Sequence, residues 1–400
     1  MMPWQETHVM DEKMKFIADV LTGDYTMTAL CEYYGISRKT GYKWYARYCR
    51  EGSSGLVERS RAPHHHPHAI PEKIQNRILE IKGRYPHWGP EKILQKLRSR
   101  YPHQHCWPAV SSVGALLKRH GLVCTRKRRR RASPSPSPLH SSSGSNQVWC
   151  ADFKGHFQTG NGDRCNPLTI SDNYSRYLIC CRHVGRMSYA QVKPQFERAF
   201  REYGLPGVIR TDNGTPFSCC GLCGLSRLSV WWIRLGIFPE RIAPGHPEQN
   251  GRHERMHLTL KQATAQPPAR TLRAQQHRFD DFLQEYNQER PHAALDGAVP
   301  SSFYHGSDRV FPDRLPRVEY PGFYRVRCVQ PHGDICVGGD RVFLGESFRG
   351  EYIGLEPRDE GLSRLWYCCY ELGTLDHRTM QITPSQQRGL SAPKEGGEAP

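Results

Sequence analysis

At 400 residues the chain is too long for one core of ordinary size, so two to four domains are expected. Lys and Arg total 56 against 39 Asp and Glu, a net charge of +17, which favours a polyanionic partner, nucleic acid before an acidic membrane. No apolar run approaches ~18 residues and "MMPWQETHVMDEK" has no signal-like apolar region, so neither a membrane span nor secretion is expected; the 15 irregularly spaced cysteines read as reduced thiols of a cytoplasmic, nucleoid-associated protein.

The first predicted unit is helical and covers residues 11–50. Phe16, Ile17, Val20 and Leu21 form one apolar stripe. "TALCEYYGISRKTGYKWYARY" (28–48) then reads as a helix, a tight turn at Gly35-Ile36, and a second helix capped by Ser37. Arg38, Lys39 and Thr40 fall in the first turn of that helix and Lys43 one turn on, where a helix-turn-helix meets the major groove. A small bundle with a solvated basic face would show the same pattern. Residues 52–70 read as a linker, and the run "HHHPH" (64–68) has no cysteine pair nearby to make a zinc site.

A second helix-turn-helix unit is predicted over 71–122. Ile74, Ile78 and Ile81 space one helix, and Pro90 stands near the start of the next. "SSVGALLKRHG" (111–121) offers Ser111 or Ser112 as a cap and Gly121 as a stop. Residues 123–146 follow as a basic Ser/Pro linker. Arg126, Lys127, Arg128, Arg129, Arg130 and Arg131 run in succession before a Ser-Pro tract that cannot build a core. The tract is either a solvated tether or, between DNA-contacting modules, a segment that lies along phosphates.

Residues 147–304 change character. "QVWCADFKGHF", "PLTISD" and "RYLICCRHV" read as three strands. A helix beyond Pro194, a strand at "GVIRTDNG", a helix over 225–236, a strand at "ERIA", and helices near 247–266 and 271–288 follow. That order suggests an α/β domain with a mixed sheet. Residues 318–380 are β-rich, with turns at "HGD", "GGD" and "DEG", and a small β-barrel is the expected solution. Residues 385–400 are rich in Gly, Pro and Glu and are expected to be disordered.

Two acids stand out at strand positions. Asp152 lies in the apolar "VWCADF", where an unpaired buried carboxylate would cost several kcal/mol. Asp212 ends a strand in "RTDNG", the place where α/β sheets present ligands. Glu254 sits in a later helix, and three carboxylates could converge on Mg²⁺ for phosphoryl transfer. Spacing alone leaves the plainer readings open. Asp is a common turn former, as Asp172 is in "SDNYS", and a helical Glu is usually solvated.

"WCADFKG", "TISDNYSRYL", "RTDNGTPF", "PGHPEQNGRHERMHLTLK" and "YNQERPHAAL", in that order, resemble bacterial insertion-sequence transposases with a retroviral-integrase-like core. The resemblance covers residues 10–376. It implies a ribonuclease H-like fold and an Asp-Asp-Glu site of Asp152, Asp212 and Glu254 holding two Mg²⁺ or Mn²⁺ ions. It implies strand transfer on double-stranded DNA, at element ends and at a target, by a homo-oligomer on paired ends. Lys261, seven residues past Glu254 on the same helical face, suits a phosphate. His257 near that face is expected to help hold the polyanion. The 42 positions from Asp212 to Glu254 exceed the usual spacing, with the surplus in "SCCGLCGLSRL". Cys219, Cys220 and Cys223 there have no partner pair at zinc-finger spacing. Competing readings are a non-catalytic DNA-binding regulator using only residues 11–122, and a plain metal-dependent nuclease.

Overall fold

A computed structural model of the chain describes residues 8–59, 69–123, 139–358 and 361–385, excepting the side chains of Pro247 and Glu248. The run Arg126–Arg131, the histidines of 64–68 and residues 386–400 lie outside the described residues. The chain divides into two compact units at Ala69 and Ile70.

The first unit packs α1 (Val9–Thr22), α2 (Met27–Tyr33) and α3 (Arg38–Glu51) around Phe16, Ile17, Leu30, Trp44 and Leu56. Ser37 caps α3, its hydroxyl accepting from Thr40 N at 3.2 Å. Gly35 turns the chain between α2 and α3 at φ +62°, a conformation that favours glycine. Gly41 lets α3 press on α2, since a Cβ there would stand 2.6 Å from Cys31 Sγ.

The second unit opens with α4 (Glu72–Arg84), α5 (Pro90–Arg100) and α6 (Val110–Arg119) around Ile78, Trp88, Ile93, Leu97 and Leu116. Pro90 takes the first helical position of α5. The expected serine cap of α6 is not there. The helix starts earlier, at Val110, with Ala109 in the cap position and no side-chain bond, which leaves Ser111 and Ser112 exposed in the first turn.

The central sheet has the order β5-β4-β1-β6-β7. Its strands are β1 (Val148–Phe153), β4 (Pro167–Asp172), β5 (Leu178–His183), β6 (Val208–Thr211) and β7 (Phe238–Arg241); β2 (Phe157–Gln158) and β3 (Arg164–Cys165) make a separate hairpin. β1 and β5 run antiparallel to β4, while β6 and β7 run parallel to β1. The sheet lies between two cores, and alternation along β1 points Trp149 and Ala151 into the first. Trp149 and Ala151 face α7 (Tyr189–Tyr203) and α8 (Arg227–Arg234) through Phe196, Phe200 and Trp232. On the other side, Leu178 and Cys181 of β5 pack with α9 (Gly251–Thr264) and α10 (Leu272–Gln284) through Met256, Leu260 and Phe279. α7 begins at Tyr189, before Pro194 rather than beyond it. Pro194 is the helix's sixth residue and forfeits one backbone bond near the start, while Val192 and Phe196 on either side are fully buried.

At the C-terminal end, β8 (Arg325–Cys328), β11 (Tyr352–Pro357), β12 (Leu362–Tyr367), β13 (Tyr370–Asp376) and β14 (Gln381–Pro384) form an antiparallel sheet ordered β14-β13-β12-β11-β8. β9 (Asp334–Val337) and β10 (Asp340–Phe343) form a hairpin beside it. The expected small β-barrel is therefore not formed: β8 and β14 do not pair and the sheet stays open. Its apolar face has other cover. Ile353, Leu355 and Leu365 share a core with Ile335 and Val342 of the hairpin and with Leu225, Val230 and Ile233 of the α8 region. Among the described residues, no helix is long and apolar enough to cross a membrane.

Candidate active site

Parallel pairing brings the two aspartates side by side. Ala151 of β1 is in register with Thr211 of β6, so Asp152 and Asp212 each follow one residue later at the carboxyl end of adjacent strands. Arg210, two residues before Asp212, is buried and pairs with Glu240 of β7 at 2.6 Å, which holds β6 to its outer neighbour. The Asp212 carboxylate accepts from Gly214 N at 3.1 Å, shaping the turn after β6, and Asn213 Nδ2 donates to Ile242 O at 2.8 Å.

Glu254 comes from the far side of the layer. A 3-10 turn over Pro247–Asn250 precedes α9, which starts at Gly251, so Glu254 lies in the first helical turn rather than deeper inside. Gln249 Oε1 accepts from Ala243 N at 2.7 Å and ties this entry turn to the segment after β7. The Glu248 side chain lies outside the described residues.

Asp152 feels the charges of the other two acids. Burial pushes the Asp152 carboxyl up to about 7, the Asp212 charge adds to the shift, and Glu254 adds further; a backbone hydrogen bond at Phe153 and the Lys154 charge oppose it. Among the described residues, no three His, Cys, Asp or Glu side chains are gathered tightly enough to hold a metal ion. The acids thus stand in electrostatic reach without forming a closed ligand set. The donor chemistry suits Mg²⁺ or Mn²⁺: hard carboxylate oxygens, with Asp152 half-buried and burdened by like charges that a cation would relieve.

Behind Asp152 lies a hydrogen-bonded chain that sequence reasoning missed. Thr169, opposite Asp152 on β4, donates its hydroxyl to Asp152 O at 3.1 Å. The same oxygen is 2.8 Å from His253 Nε2 and 2.6 Å from His257 Nε2. With its hydrogen committed, the hydroxyl can only accept, so both histidines carry their proton on Nε2. His253 Nδ1 then accepts from Ser171 Oγ at 2.8 Å. His257 Nδ1 is left unprotonated, 3.7 Å from Asp152 Oδ2. Burial lowers His253 to about 3; burial, followed by the His253 and Lys154 charges, lowers His257 to about 2. His257 is therefore neutral and forms no ion pair with Asp152 at that distance. The expectation that it helps hold a polyanion is corrected: it is 5 % exposed and serves the joint between α9 and β4. Two signals in the sequence pointed this way: Thr169 and Ser171 alternate on one face of "TISD", and His253 and His257 stand one helical turn apart.

Lys154, half-buried two residues past Asp152, is a further missed residue; its charge acts on both Asp152 and His257. Lys261 is exposed on α9. Arg38, Lys39 and Lys43 are exposed on α3 in the other compact unit, with Lys43 Nζ 4.1 Å from the Trp44 ring centre. Cys219 and Cys223 donate to the carbonyls of Leu225 and Leu372 at 2.9 and 3.0 Å.

Comparison with known proteins matches most of the described chain to recognised domains. Residues 142–247 and 235–300 match the integrase core domain, and 324–383 match the C-terminal domain of IS481 family transposases. Residues 12–64 match a helix-turn-helix domain and 40–117 a homeodomain-like domain. The chain is 25% identical over 284 residues to an uncharacterized 31.7 kDa protein of insertion element IS407 from Burkholderia multivorans, covering 69% of this chain and 94% of that protein. It is 27% identical over 242 residues to an uncharacterized 39.2 kDa protein of insertion element IS476 from Xanthomonas euvesicatoria, covering 59% and 66%. Among solved structures, the HTLV-2 integrase catalytic core domain in complex with magnesium aligns with 16% identity and a TM-score of 0.33, over 41% of this chain and 100% of that one.

Proposed function

We propose that this chain, an insertion-sequence transposase with an integrase-like core, is an enzyme that cuts and joins DNA at the Asp152–Asp212–Glu254 site. Two Mg²⁺ or Mn²⁺ ions bound there would lower the barrier by activating a nucleophile and stabilising the leaving oxygen. Asp152 and Asp212, on neighbouring strand ends, and Glu254, on α9, would hold the ions through their carboxylate oxygens. The first step breaks a phosphodiester P–O bond at an element end. Water supplies the new oxygen, and a DNA 3′-hydroxyl leaves. In the second step that 3′-hydroxyl attacks a target phosphodiester and the displaced target 3′-oxygen takes up a proton. No covalent protein intermediate is required, so no Ser, Cys or Tyr nucleophile is assigned.

The remaining residues bind and position. Lys154 and Lys261 hold phosphates near the acids. Arg38, Lys39 and Lys43 read the terminal repeats from α3, and Arg126 to Arg131, outside the described residues, supply further charge for DNA phosphates. Two ends must be joined in one event, so the working form is a homo-oligomer on paired ends. One observation carries this reading: the parallel register of β1 and β6 sets Asp152 and Asp212 side by side at adjacent strand ends, where burial first, and the charges of Asp212 and Glu254 after it, raise the Asp152 carboxyl. The test is cleavage and joining of a duplex carrying the inverted repeat that borders the coding sequence, with and without Mg²⁺. Activity in the wild type that disappears in Asp152→Asn supports the proposal. DNA binding without metal-dependent cutting favours the regulator reading, and hydrolysis without joining favours the nuclease.

A further inference from the structure

The second helical unit meets the central domain along a seam that neither DNA reading nor the acid cleft uses. α10 runs into a π-helical turn over Glu285–Glu289, within the "YNQERPHAAL" stretch and the residue before it. This turn divides its side chains between two partners. Tyr286 is buried against Phe282, and Asn287 pairs with β5, donating to Leu178 O at 2.9 Å and accepting from Leu178 N at 2.8 Å. Glu285 and Glu289 turn the other way, toward α4 and α5.

There they meet a prepared surface. Trp88, 1 % exposed, donates its indole N–H to Glu285 Oε1 at 2.9 Å. The Tyr85 hydroxyl donates to Glu289 Oε2, and Lys96 Nζ lies 3.4 Å from the same carboxylate. Lys92 donates to Pro291 O. Tyr85 and Trp88 are stacked, with ring centres 4.1 Å apart and planes 12° from parallel. Burial lowers Lys92 to about 8 and raises the Glu285 carboxyl, so both are withdrawn from water at this seam. A buried indole N–H and two partly buried cations each need a partner, and the central domain supplies all three.

We propose that this seam is a clasp that fixes the second helical unit on the catalytic domain of the same chain. The position of α6, the last helix of the predicted second helix-turn-helix unit, relative to the Asp152–Asp212–Glu254 site is then set by the protein, not by a tether, and DNA held on α6 would be cut at a fixed distance from it. The clasp occupies Lys92 and Lys96 of α5, whereas Ser111, Ser112, Lys118 and Arg119 of α6 remain exposed for DNA. Cutting rests on the proposed function; the clasp does not.

The test uses the full chain carrying Glu285→Lys and Glu289→Lys, and a charge swap, Glu289→Lys with Lys96→Glu. Hydrogen exchange without DNA reports on residues 85–100 and 285–298. Affinity and cut position are read on a duplex bearing the bordering inverted repeat. The double variant is expected to lose exchange protection in both segments and keep its circular dichroism and most of its affinity. Cutting at the wild-type position should fall about a hundredfold, as expected for misplaced reactants. The swap is expected to restore protection and cut position. Retained protection in the double variant overturns the clasp, as does lost protection with the cut unchanged in place and rate. If the wild type does not cut at all, the functional reading fails, and exchange and rescue still decide the clasp.

Discussion

The hydroxyl of Thr169 stands 2.6 Å from His257 Nε2 and gives its own hydrogen to the Asp152 carbonyl, so one side chain joins the helix bearing Glu254 to the strand bearing Asp152. Two of the three acids are thereby registered through a neutral, buried joint. The third, Asp212, is registered by parallel pairing of β1 with β6.

Thr169→Val keeps the shape and removes that joint. Two histidine N–H groups would lose their acceptor, at about 1–3 kcal/mol for each buried donor left unpaired. Urea unfolding should show the loss, and divalent-dependent cutting should fall further than stability alone accounts for. Thr169→Ser retains the hydroxyl and should recover most of both. Equal activity in the valine and serine variants would remove the joint from the account.

The raised Asp152 carboxyl carries a sign that can be checked. Its folded value, about 7, lies above the ordinary value of 3.8. The unfolded state therefore releases this proton first, and stability is lost as pH rises from 3.8 toward 7. Asp152→Asn removes the ionisation. In metal-free protein it should stabilise by about 2–4 kcal/mol at pH 8 and by little near pH 4. Saturating Mg²⁺ should reverse the advantage, because only the carboxylate gains from the ion. Thermal unfolding at the two pH values, with and without Mg²⁺, is the measurement.

Recognition by α3 predicts a different signature. Lys39→Ala should weaken binding to the bordering repeat by about 1–3 kcal/mol if a base contact is lost, with reduced preference over unrelated DNA. A phosphate contact would instead weaken all duplexes alike. Competition binding at fixed salt separates the two, and unchanged affinity on every duplex would exclude this helix from recognition.

Much of the fold was legible because local chemistry and tertiary structure agree. Ser37 caps α3 as its side chain and position suggest, and the apolar strands of the central sheet are bounded by readable turns. Legibility ended where distant residues decided the outcome. Ser111 and Ser112 looked like caps, but α6 extends to Val110 without one. The C-terminal strands looked able to close on themselves, yet Val230 and Ile233, over a hundred residues earlier in the chain, help cover their apolar face. His257, three residues past Glu254, invited a role facing DNA, and His253 stands one helical turn before it. Their burial became visible only when Thr169 and Ser171, 82 to 88 positions away, were seen opposite them. The partners of Trp88 and Tyr85 lie 197 and 204 positions on, beyond any periodicity.

Glu254, in the first turn of α9, is proposed to complete a metal-dependent site with Asp152 and Asp212, and Glu248, six residues earlier, to have no part in it. The direct measurement is Mg²⁺-dependent cutting and joining of a repeat-bearing duplex by Glu254→Gln and Glu248→Gln, with DNA affinity measured alongside. Glu254→Gln is expected to lose cutting and joining by several orders of magnitude yet still bind the duplex, and Glu248→Gln to keep most activity. Strand transfer retained by Glu254→Gln and abolished by Glu248→Gln would contradict this assignment.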